Sequence, residues 1–322
     1  MDNKTSEATR VTVIIPCYNS AKSIRNVTDR IIEALDGRYG LQIILINDSS
    51  KDNVWDVIKD ICREYKNVIG LSLSRNFGQQ SARMAALPYV NGEYIVFMDD
   101  DGQHDPNAIP RLIEKIEEGY DIVYAYFRHK KESMFRRIGS DFARKTVDFI
   151  MGKPKEVHQS SFFVVKRFVI EELKNYHSPS PVILGYFMQI TKNIAEVEVE
   201  HHERIDGRSG YTLNKLIRLW MNLFTSFSVV PLRIASLCGI IFSFIGLILG
   251  CTFVVKKLVF HMAPIGYTSL IAVILFSNGI LMLLLGMLGE YIGRIFIALN
   301  DVPQYVVKEK VNIQYTEERE NV

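Results

Sequence analysis

From Val11 onward, short runs of β-branched and other apolar residues alternate with segments whose apolar positions recur at helical spacing. That alternation is the pattern of parallel strands joined by crossover helices. Strands are predicted at Val11–Ile15, ended by Pro16, and at Gln42–Ile46, Val68–Leu73, Tyr94–Met98 and Ile122–Ala125. Helices are predicted between them: Ser23–Leu35, with Ile24, Val27, Ile31 and Leu35 on one face, then Asn53–Tyr65, Gln79–Leu87, closed by Pro88, and Asn107–Glu118. The fold class that follows is α/β, an open, mostly parallel sheet with flanking helices, whose ligands should lie beyond the carboxyl ends of the strands.

Past Arg128 the pattern is less regular. A basic, helix-like stretch runs to Met151, and short strands are predicted at Phe162–Val165 and Glu196–Glu200. Leu213–Val230 carries Leu216, Leu219, Trp220, Leu223, Phe224 and Phe227 among few charges, which suits a helix lying on a membrane surface or one packed on a core. Ile234–Val255 is then an uncharged apolar run, followed after Lys256, Lys257 and His261 by a second, Ala263–Gly289. A helix rises about 1.5 Å per residue and must cross roughly 30 Å of hydrocarbon, so each run is long enough to span a bilayer. The expected organisation is a polar N-terminal tail (1–10), a cytoplasmic α/β domain (11–211), a juxtamembrane amphipathic helix (212–233), two transmembrane helices (234–298) and a charged cytoplasmic tail (299–322).

Composition narrows this. The chain has 322 residues, 48% hydrophobic and 23% charged, which excludes disorder, collagen-like repeats and a polytopic transporter. A net charge of +2 is too small for bulk attraction to nucleic acid, and no helix-turn-helix, RNA-binding or zinc-finger pattern is present, so no nucleic-acid partner is expected. Cys17, Cys62, Cys238 and Cys251 have neither disulfide-framework nor metal-ligand spacing and fit reduced, cytosol-side thiols. Met1–Arg10 is polar and lacks the apolar core of a signal peptide, so the first domain is expected to stay in the cytoplasm.

The chemistry concentrates at predicted strand ends. Val96-Phe97-Met98-Asp99-Asp100-Asp101 is an apolar strand emptying into carboxylates. Extended residues two apart face the same side, so Asp99 and Asp101 are expected to share a crevice while Asp100 points away. Paired carboxylate oxygens suit Mg2+ or Mn2+, which can bridge the phosphates of a nucleotide and stabilise charge on a departing diphosphate. At the second strand end Asp48 could accept hydrogen bonds from a base or ribose, although Asp, Asn and Ser are also turn and cap residues and Asp52 suits a helix cap. At the third, Arg75 could meet phosphate, and Gly78 could let the backbone turn closely into a helix N-terminus.

Pro16-Cys17-Tyr18-Asn19, Asn47-Asp48-Ser49-Ser50, Arg75-Asn76-Phe77-Gly78 and Asp99-Asp100-Asp101 stand in the order seen in family 2 glycosyltransferases. Arg204, Gly207, Ser209 and Tyr211, then two apolar runs and Leu288-Gly289-Glu290-Tyr291-Ile292-Gly293-Arg294, resemble the bacterial polyprenyl-phosphate (undecaprenyl-phosphate) glycosyltransferases related to dolichyl-phosphate mannose synthase. The resemblance covers about Val11 to Val307 and implies a GT-A-type domain in the inner membrane's cytoplasmic face. It implies metal-dependent, inverting transfer of a sugar from a nucleotide diphosphate-sugar to a polyprenyl phosphate. Its catalytic set would be Asp99, Asp101 and Arg204, with Asp99 and Asp101 on the metal. Pro16, Tyr18, Asn19, Asp48, Arg75, Asp99 and Asp100 would hold the nucleotide-sugar, and Arg204, Arg208, His158 and Gln159 the lipid phosphate or diphosphate.

Three positions depart from the family pattern. Ser49 stands where a Gly is usual, so it must avoid or tolerate a strained turn. Gly210 replaces a basic residue before Tyr211, and Val157 and Phe163 stand where relatives carry an Asp and an Arg credited with handling the acceptor. The missing carboxylate is less damaging than it looks. A hydroxyl acceptor needs a general base, whereas a phosphate monoester, with a second pKa of about 6, is already anionic at neutral pH.

Other features have blander readings. His201-His202-Glu203 puts neighbours on opposite faces of a strand and offers no third ligand at zinc spacing. Gly246/Gly250 and Gly289/Gly293 permit close helix contact, within the hairpin first or between protomers of a homo-oligomer. Glu290 and Arg294 could pair at a membrane boundary, and Arg128-His129-Lys130-Lys131 could meet anionic headgroups or remain a solvated face. Two rival functions stand beside the favoured one: transfer to a polysaccharide or other hydroxyl acceptor, and a catalytically silent, membrane-bound nucleotide-sugar binding protein.

Overall fold

The computed structural model describes residues 9–35, 37–127, 158, 160–179, 181–199, 230–260, 266–300 and 302–313. They fall into two compact units, one drawn from residues before 213 together with those after 301, the other from 213–301.

The first unit opens with the alternation expected: β1 (Arg10–Cys17), α1 (Ile24–Leu35), β2 (Gly40–Asn47), α2 (Val54–Glu64), β3 (Val68–Leu73), α3 (Gln79–Ala86), β4 (Tyr94–Phe97), α4 (Ile109–Glu117) and β5 (Ile122–Phe127). It continues with β6 (Phe163–Lys166), α5 (Arg167–Leu173), α6 (Ile183–Ile190) and β7 (Ile194–Val199), and regains the chain at β8 (Val307–Val311). One eight-stranded sheet runs β7-β5-β6-β4-β1-β2-β3-β8. The block β4-β1-β2-β3 is parallel throughout, whereas β6 is antiparallel to both β4 and β5, and β8 is antiparallel to β3.

Why these runs form a sheet covered on both faces is visible in their alternation. Val11, Val13 and Ile15 of β1 point into one core with Ile24 and Ile31 of α1, Ile58 of α2 and Ile113 of α4. Ile14 points into the other with Ile44 and Ile46 of β2, Ala82 of α3, Ile170 of α5 and Phe187 of α6. Burial on both faces is what makes the central strands near-continuous apolar runs. Because β4, β1, β2 and β3 are parallel, their carboxyl ends share one edge, and the antiparallel β6 brings its amino end to that same edge.

Two sequence expectations need correction. The fourth helix is entered by a 3-10 turn, Pro106–Ala108, in which the Asp105 carboxylate accepts from the Asn107 N–H. The charged tail expected from 299 contains β8, whose charges hid it. Lys308, Glu309 and Lys310 are exposed, while Val307 and Val311 pack against the two cores. An edge strand needs few apolar contacts and is normally guarded by charge, so composition alone reads it as a tail.

The second unit holds α7 (Val230–Phe260) and α8 (Tyr267–Leu299), in contact where the Phe242 and Phe276 rings meet edge-on, 6.1 Å between centroids. Within α8, Phe276–Gly293 is long and apolar enough to cross a membrane, with mean hydropathy 1.3 and none of it buried in protein, and α7 carries a shorter apolar stretch, Gly239–Ile248. Among the described residues, nothing lies within 4 Å of a Cβ placed on Gly246, Gly289 or Gly293. The basic stretch 128–151, the segment 213–229, and Val157, Gln159, Arg204 and Arg208 lie outside the described residues.

Candidate active site

The loops after β1, β2, β3 and β4 converge on the shared strand edge and hold one another by hydrogen bonds, most of them between a side chain and the backbone. The Asp48 N–H donates to the Cys17 carbonyl at 3.0 Å. Asn19 has φ 55, a left-handed geometry that asparagine tolerates better than most residues. Its N–H donates to Ser50 Oγ at 3.1 Å, and its Oδ1 accepts from the Lys51 N–H at 2.9 Å. Asp52 accepts from Ala21 N–H at 2.9 Å and from Val54 N–H at 3.3 Å, so from just before the N-cap Asn53 it ties the start of α2 to the first loop. Pro16 sits inside β1, paired with Ile46, and Tyr18 stands 47% exposed just beyond the strand. The structure therefore places Pro16, Tyr18, Asn19 and Asp48 at the same end of β1 and β2.

Asp48 itself is only 3% exposed, and its oxygens accept from the N–H groups of Phe77 at 2.7 Å and Gly78 at 2.8 Å. It holds the β3–α3 loop at the amino end of α3, where negative charge is favoured. Burial pushes the Asp48 carboxyl up, against the two N–H donors that favour its ionised form. Gly78, at φ 90, makes the turn that lets both donors reach one side chain. Ser49 takes φ 54, so the serine tolerates the left-handed turn rather than avoiding it. Arg75 reaches back over the Phe77 ring, 4.5 Å from its centroid.

The three acids go three ways. β4 ends at Phe97, so the alternation that would place Asp99 and Asp101 on one side does not extend to them. Asp99 turns toward α3 and β6. Its Oδ1 accepts from Arg83 at 3.1 Å and from Gln79, and its Oδ2 from Ser161 Oγ at 2.5 Å. Asp100 turns to the first loop, where its Oδ2 accepts from the Tyr18 N–H at 2.9 Å and its carbonyl from Ser23 Oγ at 2.7 Å. Asp101 stays in its own turn, its Oδ1 accepting from the Gln103 N–H at 3.1 Å.

Their electrostatics diverge with their surroundings. Burial alone would raise the Asp99 carboxyl, but the Arg83 guanidinium, then His104 and the Ser161 and Gln79 hydrogen bonds, outweigh it and hold Asp99 below the ordinary range. Asp100 is pushed up to about 6, by burial first and by the charge of Asp99 as well. Carboxylate oxygens at a strand end are the donor chemistry of Mg2+ or Mn2+. Among the described residues no three His, Cys, Asp or Glu side chains gather into a metal cage.

Sequence reasoning missed three members of this cluster. Arg83 is 3% exposed, and its guanidinium lies over the Phe97 and Phe163 rings at 5.8 and 5.7 Å. Phe163, where the family resemblance expects an Arg, pairs across the strands with Phe97, their rings stacked at 4.7 Å. A guanidinium is nonetheless present beside Asp99, brought by α3. In the sequence Arg83 is only a lone cation among the mostly small residues Ser81-Ala82-Arg83-Met84-Ala85-Ala86, and its burial shows only in the structure. His104 accepts from the Asp99 N–H through Nδ1 at 3.1 Å, its ring between Phe127 and Phe162. Ser161 carried no sequence signal. His158 meets Glu196 of β7, with Nδ1 to Oε2 at 3.2 Å, and packs on Tyr126, 4.4 Å between ring centroids.

Residues 12–174 match the glycosyl transferase family 2 model. The chain belongs to this family. In this family 2 glycosyltransferase the match runs from β1 through α5, and a second match, to the GtrB C-terminal hairpin, covers 230–295 across α7 and most of α8. The glycosyltransferase is 33% identical over 319 residues to the undecaprenyl-phosphate 4-deoxy-4-formamido-L-arabinose transferase of Yersinia enterocolitica, covering 97% of each chain. It is 31% identical to the Proteus mirabilis enzyme of the same name, over 95% of each chain. Among solved structures it is similar to glucosyl-3-phosphoglycerate synthase from Mycobacterium tuberculosis in complex with Mn2+, uridine-diphosphate-glucose and phosphoglyceric acid. That likeness, TM-score 0.52 and 19% identity over 67% of this chain and 78% of that one, concerns the fold, the mostly parallel GT-A-type sheet with flanking helices.

Proposed function

We propose that this glycosyltransferase moves a sugar from a nucleotide diphosphate-sugar to a polyprenyl phosphate such as undecaprenyl phosphate. The reaction inverts the anomeric carbon, depends on Mg2+ or Mn2+, and serves modification of cell-envelope glycan or lipopolysaccharide. One observation carries the reading: similarity to undecaprenyl-phosphate transferases runs over 97% of both chains, so it takes in the acid cluster and the hairpin together.

The Tyr18–Asn19 loop and the segment that Asp48 holds would receive the nucleoside, with Arg75 reaching its phosphates. Asp101, next to Asp99, would hold the divalent ion, which when bound supplies charge neutralisation to the departing nucleoside diphosphate. Arg204 and Arg208, with His158 and Gln159, would meet the acceptor phosphate. An oxygen of that phosphate attacks the anomeric carbon as the bond to the diphosphate breaks, and the leaving group takes the electron pair. No proton need be removed, because the acceptor is already anionic. The hairpin would keep the enzyme in the cytoplasmic membrane, its first unit in the cytoplasm, so that lipid and donor meet as if intramolecularly.

The test is to incubate detergent-solubilised full-length protein with undecaprenyl phosphate, Mn2+ or Mg2+ and a panel of nucleotide sugars. The panel should include nucleotide-activated 4-deoxy-4-formamido-L-arabinose. One donor should yield a metal-dependent glycolipid, lost in Asp101→Asn and strongly reduced in Asp99→Asn. Transfer to a soluble hydroxyl acceptor without lipid, or no glycolipid from any donor, would overturn the reading.

A further inference from the structure

We propose that Arg83 is the positioning residue of the donor site, acting through Asp99; this rests on the reading of Asp99 and Asp101 given above. A guanidinium 3% exposed cannot be a solvated cation and must be matched by its surroundings. Here one side of the group meets a stacked aromatic pair, and one of its nitrogens meets the acid turn. The plane lies over Phe97 and Phe163, and the edge donates to Asp99 Oδ1 at 3.1 Å and to the Ser161 carbonyl at 3.2 Å. Ser161 in turn donates to the other oxygen of Asp99. One side chain on α3 thus ties the end of β4 to the start of β6, on the sheet edge where the acids emerge.

Two consequences follow for an anionic donor. Three consecutive carboxylates without a counter-charge would repel a diphosphate, and Arg83 supplies that charge from inside the protein. The pairing also directs the first residue of the turn Asp99–Gly102, and so where Asp101 is presented. Arg83 is too buried to touch the ligand and works on it only through Asp99.

The experiment uses the full-length protein in detergent and measures affinity for a nucleoside diphosphate with Mn2+ by calorimetry. UDP, GDP, CDP and dTDP are tried on the parent, and the tightest is kept as the probe. Arg83→Met should weaken the probe about tenfold or more at equal folded fraction. Arg83→Met/Phe163→Arg should recover most of that loss, because the guanidinium returns beside the same carboxylate from the facing strand. In an Asp99→Asn background Arg83→Met should cost little further, since its partner is gone. If Arg83→Met fails to fold, Arg83→Lys, which keeps the charge but not the planar fork, should fold and lose affinity severalfold.

A purely structural cation predicts a lower melting temperature with affinity unchanged. An effect of Arg83→Met within about twofold, or one that adds fully to Asp99→Asn, overturns the proposal. A parent that binds none of the four diphosphates overturns the donor-site reading and this inference with it. A parent that binds while Arg83→Met and Arg83→Lys bind equally well overturns this inference alone.

Discussion

The side-chain amide of Asn312 lies 2.8 Å from the carbonyl oxygen of Val68, and within 3.2 Å of those of Cys62, Tyr65 and Lys66. A residue just past β8 thus closes the turn between α2 and β3. Its φ of 64 aims the side chain inward, a backbone state that asparagine accepts. Asn312→Ala leaves these carbonyls without that donor and should lower stability by about 1–2 kcal/mol in chemical unfolding. Trp55 reports on the same event, because its indole donates to Glu309 of β8 at 2.9 Å. Removing residues 302–322 should shift Trp55 emission to the red and, by exposing the β3 edge, promote self-association on size exclusion.

Ser49 at φ 54 carries backbone strain that a glycine would not. Relief of about 1 kcal/mol is partly offset by the greater freedom of glycine in the unfolded chain, so Ser49→Gly should stabilise by about 0.5 kcal/mol. Ser49→Val, branched at the wrong place, should destabilise by about 1–2 kcal/mol. Thermal melts of the two variants with opposite signs are the check.

Asp100 gives a pH dependence with a definite sign. Its carboxyl titrates at about 6 in the folded chain, whereas an unfolded aspartate titrates near 3.9. Between these values the folded state holds more protons, so this group's contribution to stability falls as the pH rises through the window and stays lost above it. Asp100→Asn cannot ionise. In protein treated with EDTA it should therefore stabilise by about 1–3 kcal/mol near pH 7 and by little near pH 4. Unfolding midpoints that shift equally at both pH values would mean that Asp100 titrates normally.

The Asp48 carboxylate serves two backbone donors at once, with Phe77 and Gly78 each on its own oxygen. Asparagine has one acceptor oxygen and an amino group that can only donate. Asp48→Asn should cost about 2 kcal/mol of stability by leaving one buried N–H unmatched. It should also weaken nucleotide affinity, because the loop carrying Arg75 loses its anchor. An affinity unchanged at equal folded fraction would confine Asp48 to stability.

How far the chain could be read in advance differs from element to element. The β1-to-α4 alternation was legible because each strand and helix carries its own period, and Ile24, Val27, Ile31 and Leu35 share a face whatever lies elsewhere. The acid triplet was legible as chemistry but not as geometry. Alternation predicts one crevice for Asp99 and Asp101, but β4 stops at Phe97 and the backbone turns, with Gly102 at φ 75, so strand alternation does not govern these residues. Arg83 was passed over because nothing local distinguishes a buried cation from a solvated one on a short helix.

Local pattern, then, was enough for the strand and helix order from β1 to β5 and for the apolar stretches of the hairpin, since each depends on neighbours a few residues apart. Only the tertiary structure decided that β6 runs antiparallel beside β4, that a charged terminal segment completes the sheet as β8, and that Asp99 faces Arg83 and Ser161. Those outcomes depend on partners 16, 62 and more than 200 positions away. Such pairings cost chain entropy to form and are settled by what the whole core can bury and by which charges it must match.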